Sequence, residues 1–258
     1  MIREKLLSSH AIALLATGDE ICNGDILNSN SQEIAQRLFS NGIQTGIHIT
    51  VADNLADLEM AMNFLLQNHR ALITIGGLGP TSDDLTRQAV SHTIQRPLVF
   101  DESSWQSIIE RLHRFGIHTP PESNRQQALF PNDAMIIPNP NGTAAGCMIQ
   151  HAEKFIFMLP GPPGECLPMF DNSVLSILKN NQFQQTIYYQ KWLLSGVSEA
   201  QIAEELDKLA GPFQCTTGYR FFYPYLEFKL YSKNKEDFNI LLPLIEKAIT
   251  PYVITHGK

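Results

Sequence analysis

At 258 residues the chain can bury a substantial core and exceeds the commonest single-domain size, which predicts one large and one small domain. Apolar residues at 43% exclude a disordered chain, and 19 Lys and Arg against 26 Asp and Glu give a net charge of −7 that offers no global attraction to nucleic acid or acidic lipid. The apolar run 11–16 passes straight into Gly18, Asp19 and Glu20, and no run approaches the roughly 20 residues that span a bilayer, so a cytoplasmic protein without membrane partners is expected.

Residues 11–16 suit a strand covered on both faces, and Ile34, Ala35 and Leu38 then recur at helical spacing. Residues 45–51 are alternating and β-branched. Leu55, Leu58, Met62, Leu65 and Leu66 form the stripe of a second helix opened by Asn54. Residues 71–75 make a third strand, after which Gly76 and Gly77 allow a sharp turn before a helix expected to start near Asp83. Trp105, Ile108, Ile109 and Leu112 indicate another helix, and residues 134–137, 147–149 and 155–159 further strands around the Asn139-Pro140-Asn141-Gly142 turn. This repetition predicts a mostly parallel α/β domain with its binding crevice at the strand ends.

Beyond residue 180 the pattern changes. Residues 186–195 read as a strand, and Ser198 with Gln201 forms a capping box for a helix carrying Ile202, Leu206 and Leu209. Strands at 214–218 and 226–231 flank an aromatic turn, followed by a helix near 236–248 and a strand at 252–255. That β-α-β-β-α-β order is the signature of a small ferredoxin-like α+β domain. The expected limits are 1–172 for the first domain, 173–184 for a linker and 185–258 for the second.

The segment Gly76-Gly77-Leu78-Gly79-Pro80-Thr81-Ser82-Asp83-Asp84 combines backbone access with charge. Gly76, Gly77 and Gly79 permit close approach to a ligand, and Thr81 can cap a helix or bind an anion. No G-x-x-x-x-G-K sequence occurs, and the two aspartates would repel a bare phosphate. A divalent cation held by Asp83 or Asp84 resolves the conflict by bridging to phosphate oxygens; the alternative is that both acids only favour a helix start. Asp19 or Glu20, at the end of the first strand, can complete the metal shell or position water, and the sequence does not choose between them. Arg125, with the Asn124 amide beside it, is a candidate clamp for two phosphate oxygens. Asn141, Gly142 and Thr143 form a second candidate cradle, while Pro160-Gly161-Pro162-Pro163-Gly164-Glu165 fixes a turn with Glu165 beside it.

The eight histidines form no H-E-x-x-H pattern, and Cys22, Cys147, Cys166 and Cys215 lie too far apart for a paired zinc motif and read as free thiols. Phe221, Phe222, Tyr223 and Tyr225 are candidates for packing or a subunit contact.

Residues 10–170 resemble the N-terminal domain of CinA-type competence/damage-inducible proteins, a branch of the molybdopterin-binding domain superfamily. The resemblance lies in Thr17-Gly18-Asp19-Glu20-Ile21 with Asn23-Gly24-Asp25, in residues 76–86, in Pro121-Glu122-Ser123-Asn124-Arg125-Gln126-Gln127-Ala128, in residues 138–144 and in Leu159-Pro160-Gly161-Pro162-Pro163. Residues 185–258 resemble its small domain, including Thr217-Gly218-Tyr219-Arg220. The resemblance implies a three-layer fold and a metal-dependent pyrophosphatase acting on ADP-ribose-like nucleotide diphosphates with Mg²⁺, Mn²⁺ or Co²⁺, assisted by K⁺, in a homo-oligomer expected to be a dimer. Gln126 departs from the pattern, which often has a basic residue there, leaving one fewer positive group for a diphosphate. The nicotinamide mononucleotide deamidase domain of many members is not expected within this length, and its activity is not carried over. Related domains bind or adenylylate a pterin, so a pterin- or nucleotide-binding module without efficient catalysis, or an interaction protein, stands as the alternative.

Overall fold

Uninterrupted apolar runs of five or six residues are satisfied as strands covered on both faces. In the computed structural model, which describes residues 12–257, β1 (Ile12–Thr17) and β3 (Ala71–Ile75) are buried along their whole length. Residues 1–11, with Ala11 at the head of the first apolar run and the expected start of the first domain, lie outside the described residues. The chain divides into two units, one through Gln184 and one from Gln185.

In the first unit, β1 is followed by the short α1 (Asp19–Cys22), α2 (Ser29–Ser40), β2 (Thr45–Val51), α3 (Leu55–Asn68), β3 and α4 (Thr86–Ile94). Next come β4 (Leu98–Phe100), α5 (Glu102–Arg114), a 3-10 segment (Glu122–Ala128), β5 (Leu129–Pro131), β6 (Met135–Ile137), β7 (Gly146–His151) and β8 (Lys154–Leu159). The unit closes with α6 (Pro163–Met169), a π turn (Phe170–Val174) and α7 (Leu175–Asn180). The main sheet runs β2-β1-β3-β8-β7-β6, parallel from β2 to β8 and antiparallel through β7 and β6. One face packs against Ile34 and Leu38 of α2 and the α6–α7 segment, the other against Leu58, Met62 and Leu65 of α3 and Ala89 and Val90 of α4. The unit is therefore a three-layer α/β/α fold with a mostly parallel sheet.

Three details depart from the sequence reading. The helix expected near Asp83 begins at Thr86, because the Asp84 carboxylate accepts the amides of Gly79 (2.7 Å) and Thr81 (2.8 Å) and holds the preceding residues as a loop. Residues 175–180, placed in a linker, form α7. Its apolar residues explain this, since Leu178 joins the first core and Leu175 and Ile177 pack against it. Phe221 and Phe222, placed in a turn, end a strand instead.

The second unit comprises β9 (Tyr188–Ser195), α8 (Glu199–Ala210), β10 (Cys215–Phe222), β11 (Tyr225–Ser232), α9 (Lys235–Ile249) and β12 (Val253–Gly257). Its antiparallel sheet runs β10-β11-β9-β12, the ferredoxin-like arrangement. Along β11 every second residue is buried, so the sheet covers one face with Ile202 and Leu206 of α8 and Leu241 and Ile245 of α9 around Trp192 and Phe228.

Candidate active site

Four parallel strands bring their carboxyl ends to one edge of the sheet. The chain leaves β1 toward β2, then crosses back to β3 on the other side of β1. That reversal opens a crevice between β1 and β3. A cavity of about 360 Å³ occupies it, floored by Thr17, Gly76 and Gly77 and walled by the 78–84 loop, the 143–144 loop and the 160–162 turn.

The glycines serve the loop's approach to its own neighbours. Gly76 (φ 102°) and Gly77 (φ 65°) have the positive φ that glycine adopts without strain, and an added Cβ would lie 2.6 Å from the Thr17 carbonyl oxygen or 2.3 Å from Thr86 Oγ1. Thr86 fastens this turn, its hydroxyl donating to Gly76 O (2.8 Å) and its amide to Gly77 O (3.2 Å).

Five carboxylates line the cleft: Glu20, Asp53, Asp83, Asp84 and Glu165. Asp84 is bound into its own loop, accepting the Thr81 hydroxyl at 2.5 Å besides the two amides. Asp83 is exposed, and hydrogen bonding from Thr81 and from its own amide holds its carboxyl below the usual carboxylate range, so it is ionised at neutral pH. Glu20 lines the cleft. Asp19 instead braces Asp53: Asp53 Oδ2 accepts the Asp19 amide and Asp19 Oδ1 the Asp53 amide, each at 3.1 Å, while Thr17 Oγ1 donates to Asp53 Oδ1 (2.7 Å).

The second cradle is tied to Glu165. Asn139 Nδ2 donates to Glu165 Oε2 (2.6 Å) and Ala144 O (2.9 Å), and Asn139 Oδ1 accepts the amides of Asn141 (3.0 Å) and Gly142 (2.8 Å). Asn141 turns its amide to Gly164 O (2.7 Å), and Thr143 reaches the cleft wall. Gly142 packs beside the Glu165 side chain.

Arg125 does not line the cleft. Its guanidinium lies over Phe100 (4.6 Å) and Trp105 (5.4 Å) and pairs with Glu122 (3.2 Å). Asn124 is buried and donates to Gln127 Oε1 (2.9 Å), and Gln127 lines the cleft. Gln126 donates to the carbonyls of Gly79 (3.1 Å) and Thr81 (2.7 Å), so it clamps the loop that Asp84 holds through its amides.

Sequence reasoning passed over Asp53, Gln127 and Arg87, and named Asn139 only as part of the second cradle's turn. Asp53 had a signal, since it follows the strand 45–51 and therefore sits at the crevice edge. Arg87 had none: it is 4% exposed and joins the two loops by donating to Leu78 O (2.8 Å) and Ala145 O (3.2 Å), beside the Phe130 ring. Burial pushes its pKa down, to about 10, which leaves it charged at neutral pH, and Asp84 is the carboxylate that acts on it.

The lining carboxylates are hard oxygen donors with no Lys or Arg among the described residues that line the cleft. Among the described residues no three His, Cys, Asp or Glu side chains are grouped as a ready cage for a metal. A hard cation such as Mg²⁺ is held by one or two carboxylates, with water and phosphate oxygens as its other ligands. Asp83, with its carboxylate exposed, and Asp84, with part of its acceptor capacity left, would hold it.

Residues 13–180 match the family model described as "Probable molybdopterin binding domain". The chain is 37% identical over 196 residues to a competence-damage inducible protein of Thermoanaerobacter pseudethanolicus, covering 76% of this chain and 47% of that protein. It is 34% identical over 224 residues to one from Caldanaerobacter subterraneus, covering 87% of this chain and 54% of that protein. The chain thus spans about half the length of the curated relatives it matches. The crystal structure of the protein CinA, of unknown function, from Thermoplasma acidophilum superposes with a TM-score of 0.61 at 28% identity, covering 66% of this chain and 99% of that chain.

Proposed function

From the premise that the chain belongs to the molybdopterin-binding domain family, with a CinA-like N-terminal region, we propose that it hydrolyses the diphosphate linkage of ADP-ribose or a related nucleotide diphosphate with a divalent cation. One observation carries this reading: five acidic residues line a crevice at a topological switch point, and none of the described residues on its lining is Lys or Arg. A diphosphate enters such a cleft only with a cation that neutralises it.

The bound cation would polarise a phosphoryl oxygen and lower the pKa of attacking water. The chain supplies the rest. Asp83 and Asp84 anchor positive charge, and Asp84, Thr86 and Gln126 hold the 76–81 turn in one shape. Water adds to phosphorus as the bond to the bridging oxygen breaks, releasing AMP and ribose 5-phosphate from ADP-ribose. The proton lost by the water passes to a lining carboxylate, Glu20 or Glu165, and Asn139 keeps Glu165 turned into the site. Thr143, which lines the cleft, would donate its hydroxyl to a non-reacting phosphate oxygen.

The test is a metal-titrated assay of purified protein on ADP-ribose, NAD, dinucleotide polyphosphates and FAD, reading AMP and the sugar-phosphate product. Asp83→Ala should lower the rate roughly a hundredfold or more, the cost of one charge-positioning group. Hydrolysis that is independent of metal, or unchanged in Asp83→Ala, would refute the reading. A second reading has its own support. Both Asp84 oxygens are already engaged by the loop, which leaves this side chain fewer free lone pairs than a dedicated metal ligand. Failure to cleave any diphosphate across the metal series, with tight binding of a pterin or nucleotide, would establish a binding module.

A further inference from the structure

Among the described residues Arg87 is the only Lys or Arg that is buried, and none of the described acids forms an ion pair with it. A guanidinium taken out of water without a carboxylate beside it is unfavourable unless other groups answer its charge. Two backbone carbonyls do so in part, Leu78 O accepting from Nη1 and Ala145 O from Nη2. Nε stays buried with no hydrogen-bond partner.

Leu78 O and the Gly79 N–H belong to one peptide group, and in a trans peptide they point in opposite directions. Arg87 donates to the carbonyl at 2.8 Å on one side, and on the other the Gly79 N–H donates to Asp84 Oδ1 at 2.7 Å. The order is guanidinium, carbonyl oxygen, amide hydrogen, carboxylate. The negative end of the peptide dipole faces the cation and its positive end the anion, so each bond polarises and strengthens the other. The second arm of Arg87 reaches the opposite wall. Ala145 follows Ala144, whose carbonyl accepts from Asn139 Nδ2, the same group that holds Glu165.

We propose that Arg87 is a positioning residue of the cleft: its buried charge is the counter-ion of Asp84, transmitted through the 78–79 peptide group, and its two arms fix the gap between the loop of Asp83 and Asp84 and the 143–146 wall. This role rests on the cation-dependent diphosphate reading for what the gap holds, and it adds which side chain sets the gap. Arg87 is absent from the cleft lining, so it acts through Leu78, Ala145 and Asp84. A cation arriving at Asp84 meets a carboxylate that is already oriented. The like charge of Arg87 repels that cation only weakly, because the Asp84 charge stands between them.

Arg87→Gln and Arg87→Lys in the full chain separate charge from shape, since each loses the two-armed fork and only lysine keeps the charge. Hydrogen exchange read amide by amide by NMR needs no ligand. The Gly79 and Thr81 amides, both held by Asp84, should exchange severalfold faster in Arg87→Gln, beyond any rise shared by the amides of β3, and Arg87→Lys should recover part of that protection. In urea, Arg87→Gln should raise the unfolding constant by a factor at least about threefold smaller in an Asp84→Asn background than in the wild type, the signature of two groups in one network. Calorimetry with Mg²⁺ alone supplies a sign. Arg87→Gln should bind Mg²⁺ severalfold more weakly than the wild type, whereas loss of a like charge by itself would tighten binding. If Arg87→Gln does not fold, Arg87→Lys carries the exchange and Mg²⁺ comparisons, with smaller changes of the same sign. An equal rise in exchange at Gly79, Thr81 and β3 with independent effects on the unfolding constant would overturn the role, and so would tighter Mg²⁺ binding by Arg87→Gln. A wild type that binds no Mg²⁺ but shows the exchange and coupling effects would keep Arg87 as the positioning residue and sink only the cation-dependent reading.

Discussion

An arginine two residues from a buried glutamine in the cleft wall looks like a phosphate clamp until its surroundings are known, and Arg125 shows how aromatic neighbours redirect a charge. A guanidinium stacks well on aromatic faces, and Phe100 and Trp105 provide two. Arg125→Ala should therefore change kcat/KM on the cleaved diphosphate by less than about threefold, far below the loss expected of Asp83→Ala; an equal loss in both variants would return Arg125 to the phosphate. The thiols are sorted by burial in the same way. Desolvation pushes Cys147 and Cys166 up to about 12, so at neutral pH they stay protonated as well as covered, whereas Cys22 is exposed. Maleimide labelling of the native protein should modify Cys22 first and reach Cys147 and Cys166 only on unfolding. Modification of Cys166 in the native state at the rate of Cys22 would contradict its buried position.

At the scale of elements, local chemistry decides most of what folds. The α5 helix is opened by Asp101, whose Oδ1 accepts the Ser104 amide (2.7 Å) and the Ser103 hydroxyl (2.8 Å). Hydrogen bonding from Ser104 and Ser103 holds the Asp101 carboxyl below its ordinary value of 3.8. A depressed folded pKa contributes stability that is present above the unfolded value and is lost as pH falls through the folded one. Asp101→Ala should thus cost about 1 kcal/mol in urea unfolding at neutral pH, with the gap from wild type closing below pH 3.8. A pH-independent gap would assign the effect to packing. Caps of this kind made the helices legible in the sequence: Asn54 accepts the Asp57 amide, and Ser198 with Gln201 forms both bonds of the capping box. The β4–β5 pair was not legible, because strands of three residues acquire their identity from a partner about thirty positions away. The onset of α4 depended on which amides the Asp84 side chain takes, and the sequence does not rank that competition. In the site, the Gly-rich turn with its acids and the turn that begins at Asn139 were visible as strings, whereas Asp53, Gln127 and Arg87 became part of it only when separate elements met.

At the scale of the whole molecule, the net charge of −7 and the carboxylate-lined cleft pull in one direction: an anionic ligand is repelled at long range unless a cation travels with it. The division of the chain into two units adds a separate consequence. Each unit has its own buried core, and each contains one of the two tryptophans, Trp105 in the first and Trp192, fully buried, in the second. A domain with its own core can fold alone, even at the length of residues 185–258, where the surface-to-volume ratio makes stability marginal. Residues 185–258 expressed by themselves should therefore unfold cooperatively in urea, with Trp192 fluorescence moving from a buried to a solvated emission. A Trp105→Phe variant of the full chain should report the same transition through the same tryptophan, since no other indole remains. Matching midpoints would mean that the second unit owes its stability to its own antiparallel sheet and the two helices packed on it. A non-cooperative, solvated Trp192 in the isolated fragment would mean instead that this core needs the rest of the chain, and the division into independently folding units would fail.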